Sequence, residues 1–188
     1  QSSADVASLL AGRGIVAEVL AEKVRRALRL KEEIFTDVKG ISAAVVSRQG
    51  PRDLAMQELQ LWSHVRPAEI AERLVVEESV REDWLRRGVR YDDAVAVVEF
   101  YRKTESYIWE LMAANNLIET LYNYDITLEK LGARGVRSFL DYGAGIGSFV
   151  IAGVRRNMTA WHMDLPSPTF EFARWRYRRR GLNVEMIN

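Results

Sequence analysis

From Ile15 to about Lys39, apolar residues return every three or four positions (Val16, Val19, Leu20, Val24, Ala27, Leu28) with charged residues between them. That period belongs to one face of an α-helix, so the segment is predicted to be amphipathic and to pack its stripe against another element. Residues Lys39 to Arg52 hold two glycines and a proline around a short apolar run, which predicts a connector or a short strand. Pro51 and Pro67 both stand where a helix can start, because the fixed φ and missing N–H of proline are harmless in a first turn, and Gly88 suits the end of the second helix. A further helix is expected from about Asp92 to Ala114, with Val95, Val98, Tyr101, Tyr107, Ile108 and Leu111 on one face and a break near Thr104-Glu105-Ser106. Another runs from Asn115 to Lys130, and Gly132 and Gly135 are expected to end it.

At Val136 the period changes. Val136, Phe139 and Leu140 form a short apolar run into Asp141, followed at once by glycines, which reads as a buried strand entering a tight turn. Ser148 to Val154 reads as a helix and Met158 to Met163 as a second strand ending at Asp164. A helix from Pro168 to Arg180 is closed by Gly181, and Leu182 to Ile187 forms a third strand. Strand, helix, strand, helix, strand is half of a doubly wound α/β sheet. Two regions are expected: residues 1–130, mainly helical, and residues 131–188, the sheet.

Charge divides the chain at the same place. Residues 131–188 carry nine basic and four acidic side chains, whereas the first 130 residues carry a net charge of −4. The chain has no cysteine and only His64 and His162, far apart, so a thiol nucleophile and a metal-centred mechanism are not expected. The lack of cysteine fits a reducing, cytoplasmic setting. The apolar stretch from Val6 to Leu20 is interrupted by Arg13 and Glu18 and lacks a basic leader, so neither a signal peptide nor membrane association is expected.

Glycines at 143, 145 and 147 lie where a strand ends. There they allow a sharp turn and let a ligand approach main-chain N–H groups without meeting a Cβ. Asp141 precedes them, directed at the crevice, and Asp164 ends the next strand, where two carboxylate oxygens match the vicinal hydroxyls of a ribose. Together these make a nucleoside site.

The run Phe139-Leu140-Asp141-Tyr142-Gly143-Ala144-Gly145-Ile146-Gly147 resembles the first motif of the class I S-adenosylmethionine-dependent methyltransferases. The resemblance covers about Val136 to Asn188. It implies a Rossmann-like domain whose first half is present here, truncated after the third strand, with the helical N-terminal region acting as a cap or substrate side. It also implies a methyltransferase, with S-adenosyl-L-methionine as cofactor bound by Asp141, Tyr142, Gly143, Ala144, Gly145, Ile146, Gly147, Asp164 and Leu165. The acidic residue of the first motif would lie beside the methionine end and Asp164 on the ribose hydroxyls. No catalytic side chain is assigned, since alignment of a nucleophile with the donor methyl supplies much of such catalysis. The methyl acceptor is not identified; a small molecule is favoured, and nucleic acid is compatible. The family's sheet has seven strands, so residues 1–188 are expected to be the N-terminal piece of a longer protein, inactive alone.

Two rival readings use the same residues. A dinucleotide-dependent oxidoreductase also carries Gly143, Gly145 and a later acid, but its fingerprint wants a third glycine at Ser148 and does not call for Asp141. A non-catalytic binding module on the same fold is the other. The run Arg174-Trp175-Arg176-Tyr177-Arg178-Arg179-Arg180 mixes cations and aromatics as single-stranded nucleic-acid surfaces do. With Phe170, Ala173 and Tyr177 on one helix face, it reads instead as a solvated face whose arginines suit the helix dipole. His162 reads as a buried or half-buried strand residue rather than as a general base near the cofactor. Tyr101, Tyr107, Trp109, Tyr122 and Tyr124 read as packing residues, of which one or two reach the crevice.

Overall fold

The computed structural model describes residues 15–35, 51–74 and 79–188. Seven helices precede the first strand among them: α1 (Ile15–Phe35), α2 (Pro51–Ser63), α3 (Pro67–Arg73), α4 (Ser79–Arg86), α5 (Ala94–Lys103), α6 (Ser106–Ala114) and α7 (Ile118–Ala133). Then follow β1 (Ser138–Tyr142), α8 (Ser148–Arg155), β2 (Thr159–Met163), α9 (Pro168–Arg180) and β3 (Glu185–Ile187). The protein is mixed α/β, mostly helical, with a small parallel sheet.

The three strands lie in the order β1-β2-β3, and Asp141 is in register with His162, which is in register with Met186. Side chains alternate across the sheet. Phe139, Ala160 and Met186 therefore share a face with the apolar residues of α8 and α9, including Val150, Ile151, Ala173 and Tyr177. The opposite face is open: Leu140 is 49% and Tyr142 83% exposed, and Trp161 there donates to Glu185 at 2.8 Å.

One apolar core runs through both parts of the chain. Ala27, Leu30 and Ile34 of α1, Leu59 of α2, Met112 of α6 and Leu128 of α7 share it with Ile146, Ala152 and Phe172. The predicted stripe of α1 is buried at Ala27 and half-buried at Leu20 and Val24, and it continues through buried Leu30 and Ile34, while Val19 and Leu28 face solvent. Beside it α1 pairs with α7, where Arg26 binds Asp125 and Glu129, and Lys23 reaches Glu119 at 3.3 Å. Buried Lys31 donates to Asn116 on the same side.

Pro51 and Pro67 open helices as expected. Residues 36–39 of the first predicted helix, and the predicted connector as far as residue 50, lie outside the described residues. The single helix expected between Pro67 and Gly88 is two, α3 and α4: Ile70 of α3 faces the main core, whereas Val80 and Trp84 of α4 join a smaller cluster with Phe100. The break at Thr104–Glu105 is present, and Gly88, Gly135 and Gly181 take the positive φ that ends a helix. Gly132, expected to stop α7, lies inside it; the stop is at Gly135.

Candidate functional site

At the carboxyl end of β1 the chain reverses through three left-handed glycines, Gly143 (φ 71°), Gly145 (φ 55°) and Gly147 (φ 73°), and enters α8. The turn is tied to β2. The N–H groups of Gly143 and Ala144 donate to the Met163 carbonyl at 2.8 and 3.2 Å, and Gly145 N–H donates to Asp164 Oδ2 at 2.6 Å. Asp164 Oδ1 accepts from Leu165 N–H at 2.7 Å, and Gly147 N–H closes onto the Ala144 carbonyl at 2.9 Å. The N–H groups of Gly143, Ala144, Gly145 and Gly147 thus have partners within the turn and β2. Asp164 keeps capacity to accept more, since each carboxylate oxygen offers two lone-pair directions and one is used.

The glycines differ in their surroundings. A Cβ on Gly143 would meet nothing, so this residue opens to the crevice. A Cβ on Gly145 would lie 2.7 Å from Leu111 Cδ1, so α6 roofs the turn there. One on Gly147 would overlap the Tyr177 phenol, which makes Gly147 a packing residue beneath the turn.

Asp141 is half-buried on the helix-covered face of β1. Burial first, and then the charge of Asp164, push its carboxyl up to about 6. Tyr107 of α6 and Tyr124 of α7 feel the charges of these acids. Burial raises both hydroxyls most; the Asp164 charge adds to the rise at Tyr107 and the Asp141 charge to that at Tyr124. Burial also raises Glu110 on α6.

Of the residues expected to bind a cofactor, the structure brings together Asp141, Gly143, Gly145, Asp164 and Leu165. Ala144 packs against the sheet cluster. The Tyr142 side chain stands on the open face, the Ile146 side chain is 2% exposed within the main core, and Gly147 faces Tyr177, so these three do not present side chains or open space to the crevice.

His162 is buried as expected. Its Nδ1 lies 2.8 Å from the Tyr177 hydroxyl, and burial lowers its pKa to about 4, so it is neutral at physiological pH. The expectation of a solvated arginine face on α9 is overturned at two positions: Arg176 is fully buried and the Arg180 side chain is 1% exposed, both against Glu58 of α2. Their spacing carried a signal, because Phe172, Arg176 and Arg180 stand four apart on one stripe of the helix.

A cavity of about 790 Å³ lies elsewhere, between α3, α4 and α6, bordered by Arg73, Arg87, Lys103 and Trp109. Its cations are paired with Glu69, Asp83 and Glu99. Among the described residues no group of His, Asp or Glu has the arrangement to hold a metal ion, and no helix is long and apolar enough to cross a membrane. Comparison with family models, with curated proteins and with solved structures finds no match.

Proposed function

We propose that this chain carries the cofactor-binding part of an S-adenosylmethionine-dependent methyltransferase, with β1 to β3 as the first half of a Rossmann-like doubly wound sheet. The observation that carries this reading is the placement of Asp141 and Asp164 at the ends of adjacent parallel strands, on either side of a left-handed glycine turn that opens at Gly143. Ligands of such sheets lie beyond the carboxyl ends of the strands.

The charge of the crevice favours this donor over a dinucleotide. Two neighbouring acids, Asp141 and Asp164, suit a ligand bearing a sulfonium and an ammonium, and they repel a pyrophosphate. Asp164, held by Gly145 N–H and Leu165 N–H, would accept the ribose hydroxyls, and Asp141 would face the methionine end. Where a dinucleotide fingerprint has its third glycine stands Ser148, whose hydroxyl accepts from Arg176 at 2.8 Å. The bound cofactor supplies an electrophilic methyl. The protein's part is to hold it, to exclude water with α6, and to align the acceptor. The roof that Leu111 makes over Gly145 favours a small-molecule acceptor. A cytoplasmic setting is proposed on the absence of cysteine.

Calorimetric titration of the full-length protein with S-adenosylmethionine, S-adenosylhomocysteine and NAD tests the reading. Binding of the sulfur ligands is expected, weakened by roughly 1–3 kcal/mol in Asp164→Ala, the range for loss of a charged acceptor. Binding of NAD alone would reject it.

A further inference from the structure

A charged residue without solvent contact calls for an explanation. Glu58 is 0% exposed, and its Oε1 accepts from Arg176 Nε at 3.0 Å and from Arg180 Nη1 at 2.7 Å. Burial alone would raise the Glu58 carboxyl; the two guanidiniums override it and hold it below the usual carboxylate range. One carboxylate against two guanidiniums leaves this buried group with a positive excess. Such clusters are poor stabilisers, since desolvation offsets most of the attraction and apolar residues of similar volume serve as well or better.

What the cluster does provide is direction. Arg176 Nη1 donates to the Ile146 carbonyl at 2.6 Å and to Ser148 Oγ at 2.8 Å, gripping both sides of Gly147 where the glycine turn becomes α8. Arg180 donates through Nε and Nη2 to the Ile34 carbonyl at 3.1 and 2.6 Å, near the end of α1. Trp62 of α2 packs edge-on against Trp175 and tilted against Phe172, which fixes α2 along α9. The route from the N-terminal helices to the turn is thus continuous: Glu58 holds Arg176, and Arg176 holds residues 146 and 148.

We infer that Glu58 is a positioning residue: by orienting Arg176 it sets the glycine turn, so that docking of α2 and occupancy of the turn by ligand favour one another. Coupling of this kind is reciprocal. The inference rests on the methyltransferase reading only for the identity of the ligand, because the mechanical link is present without one.

Amide hydrogen exchange on the ligand-free full-length protein separates the two. Glu58→Gln keeps the shape and removes the charge; it is expected to speed exchange at Gly147 and Ile151 at least several-fold relative to Ala160 in β2. Ser148→Ala leaves the ion cluster intact and loosens only its grip; a smaller acceleration, largest in the turn, is expected. If neither variant alters turn exchange relative to β2, the inference is overturned, and if Glu58→Gln does not fold, Ser148→Ala alone decides. Adding S-adenosylhomocysteine to the unmodified protein is expected to slow exchange in residues 51–63. Saturation of the turn with no change there would overturn the coupling, whereas failure of that compound to bind rejects the methyltransferase reading and leaves the ligand-free result standing.

Discussion

Asp141 is an acid that folding weakens. Its carboxyl moves from the ordinary 3.8 to about 6, through burial and then the nearby Asp164 charge. The folded chain therefore holds this proton more tightly than the unfolded chain does. Its contribution to stability is fully present below about pH 3.8 and is lost as the pH rises through about 6. Asp141→Asn is accordingly expected to stabilise the fold at pH 7.5 by about 1–3 kcal/mol, a gain that shrinks as the pH falls toward 4. Urea denaturation across that range checks it, and a gain independent of pH would remove the titration from the account. The same substitution is expected to lose cofactor affinity, as residues kept for binding often cost stability. Both acids were legible in the sequence because each follows an apolar strand. Not legible was the engagement of Asp164 with Gly145 N–H, since a turn's own hydrogen bonds depend on how closely two strand ends approach.

Among the elements, the junction of α5 and α6 shows how a local signal and a distant cause combine. Thr104 and Ser106 mark the break in the sequence, and Thr104 Oγ1 accepts from Ser106 N–H at 3.2 Å. What holds the junction is Asp83 on α4. It is 3% exposed, accepts from the fully buried Thr104 hydroxyl at 2.7 Å and from Arg87 Nε at 2.9 Å, and also pairs with Arg86. Asp83→Ala leaves that hydroxyl without its acceptor and is expected to destabilise by about 2–4 kcal/mol. Less than about 0.5 kcal/mol in denaturant unfolding would show that the junction stands without it, at a level typical of surface changes. After Val136 the order of strands and helices was legible, and α9 to the residue because Pro168 and Gly181 bound it, whereas β1 starts two residues later than expected, at Ser138, and β3 three residues later, at Glu185. The burial of α9 was not legible, since Arg176 counts as solvent-facing until its partner is known, and Glu58 lies 118 residues away.

At the scale of the molecule, the N-terminal helices and the sheet share a core, which no segment-by-segment reading of the sequence reveals. Deletion of residues 1–50 removes Ala27, Leu30, Ile34 and Phe35 from it and leaves the buried Asp125 without Arg26. Each large apolar side chain buried is worth about 1.5–3 kcal/mol, and a domain has only about 5–15 kcal/mol in all. The shortened chain is therefore expected to lose cooperative thermal unfolding and to bind a hydrophobic dye. A sharp transition at an unchanged midpoint would mean that α1 is an independent appendage.

The long reach from Glu58 to Arg176 also governs the order in which a growing chain can be completed. Helix α2 leaves the ribosome with a carboxylate, Glu58, whose partners Arg176 and Arg180 are still untranslated. At about 5–20 residues per second the wait is on the order of ten seconds. During that interval Glu58 stands without the two guanidiniums it is buried against, and the glycine turn is gripped only once Arg176 has been made.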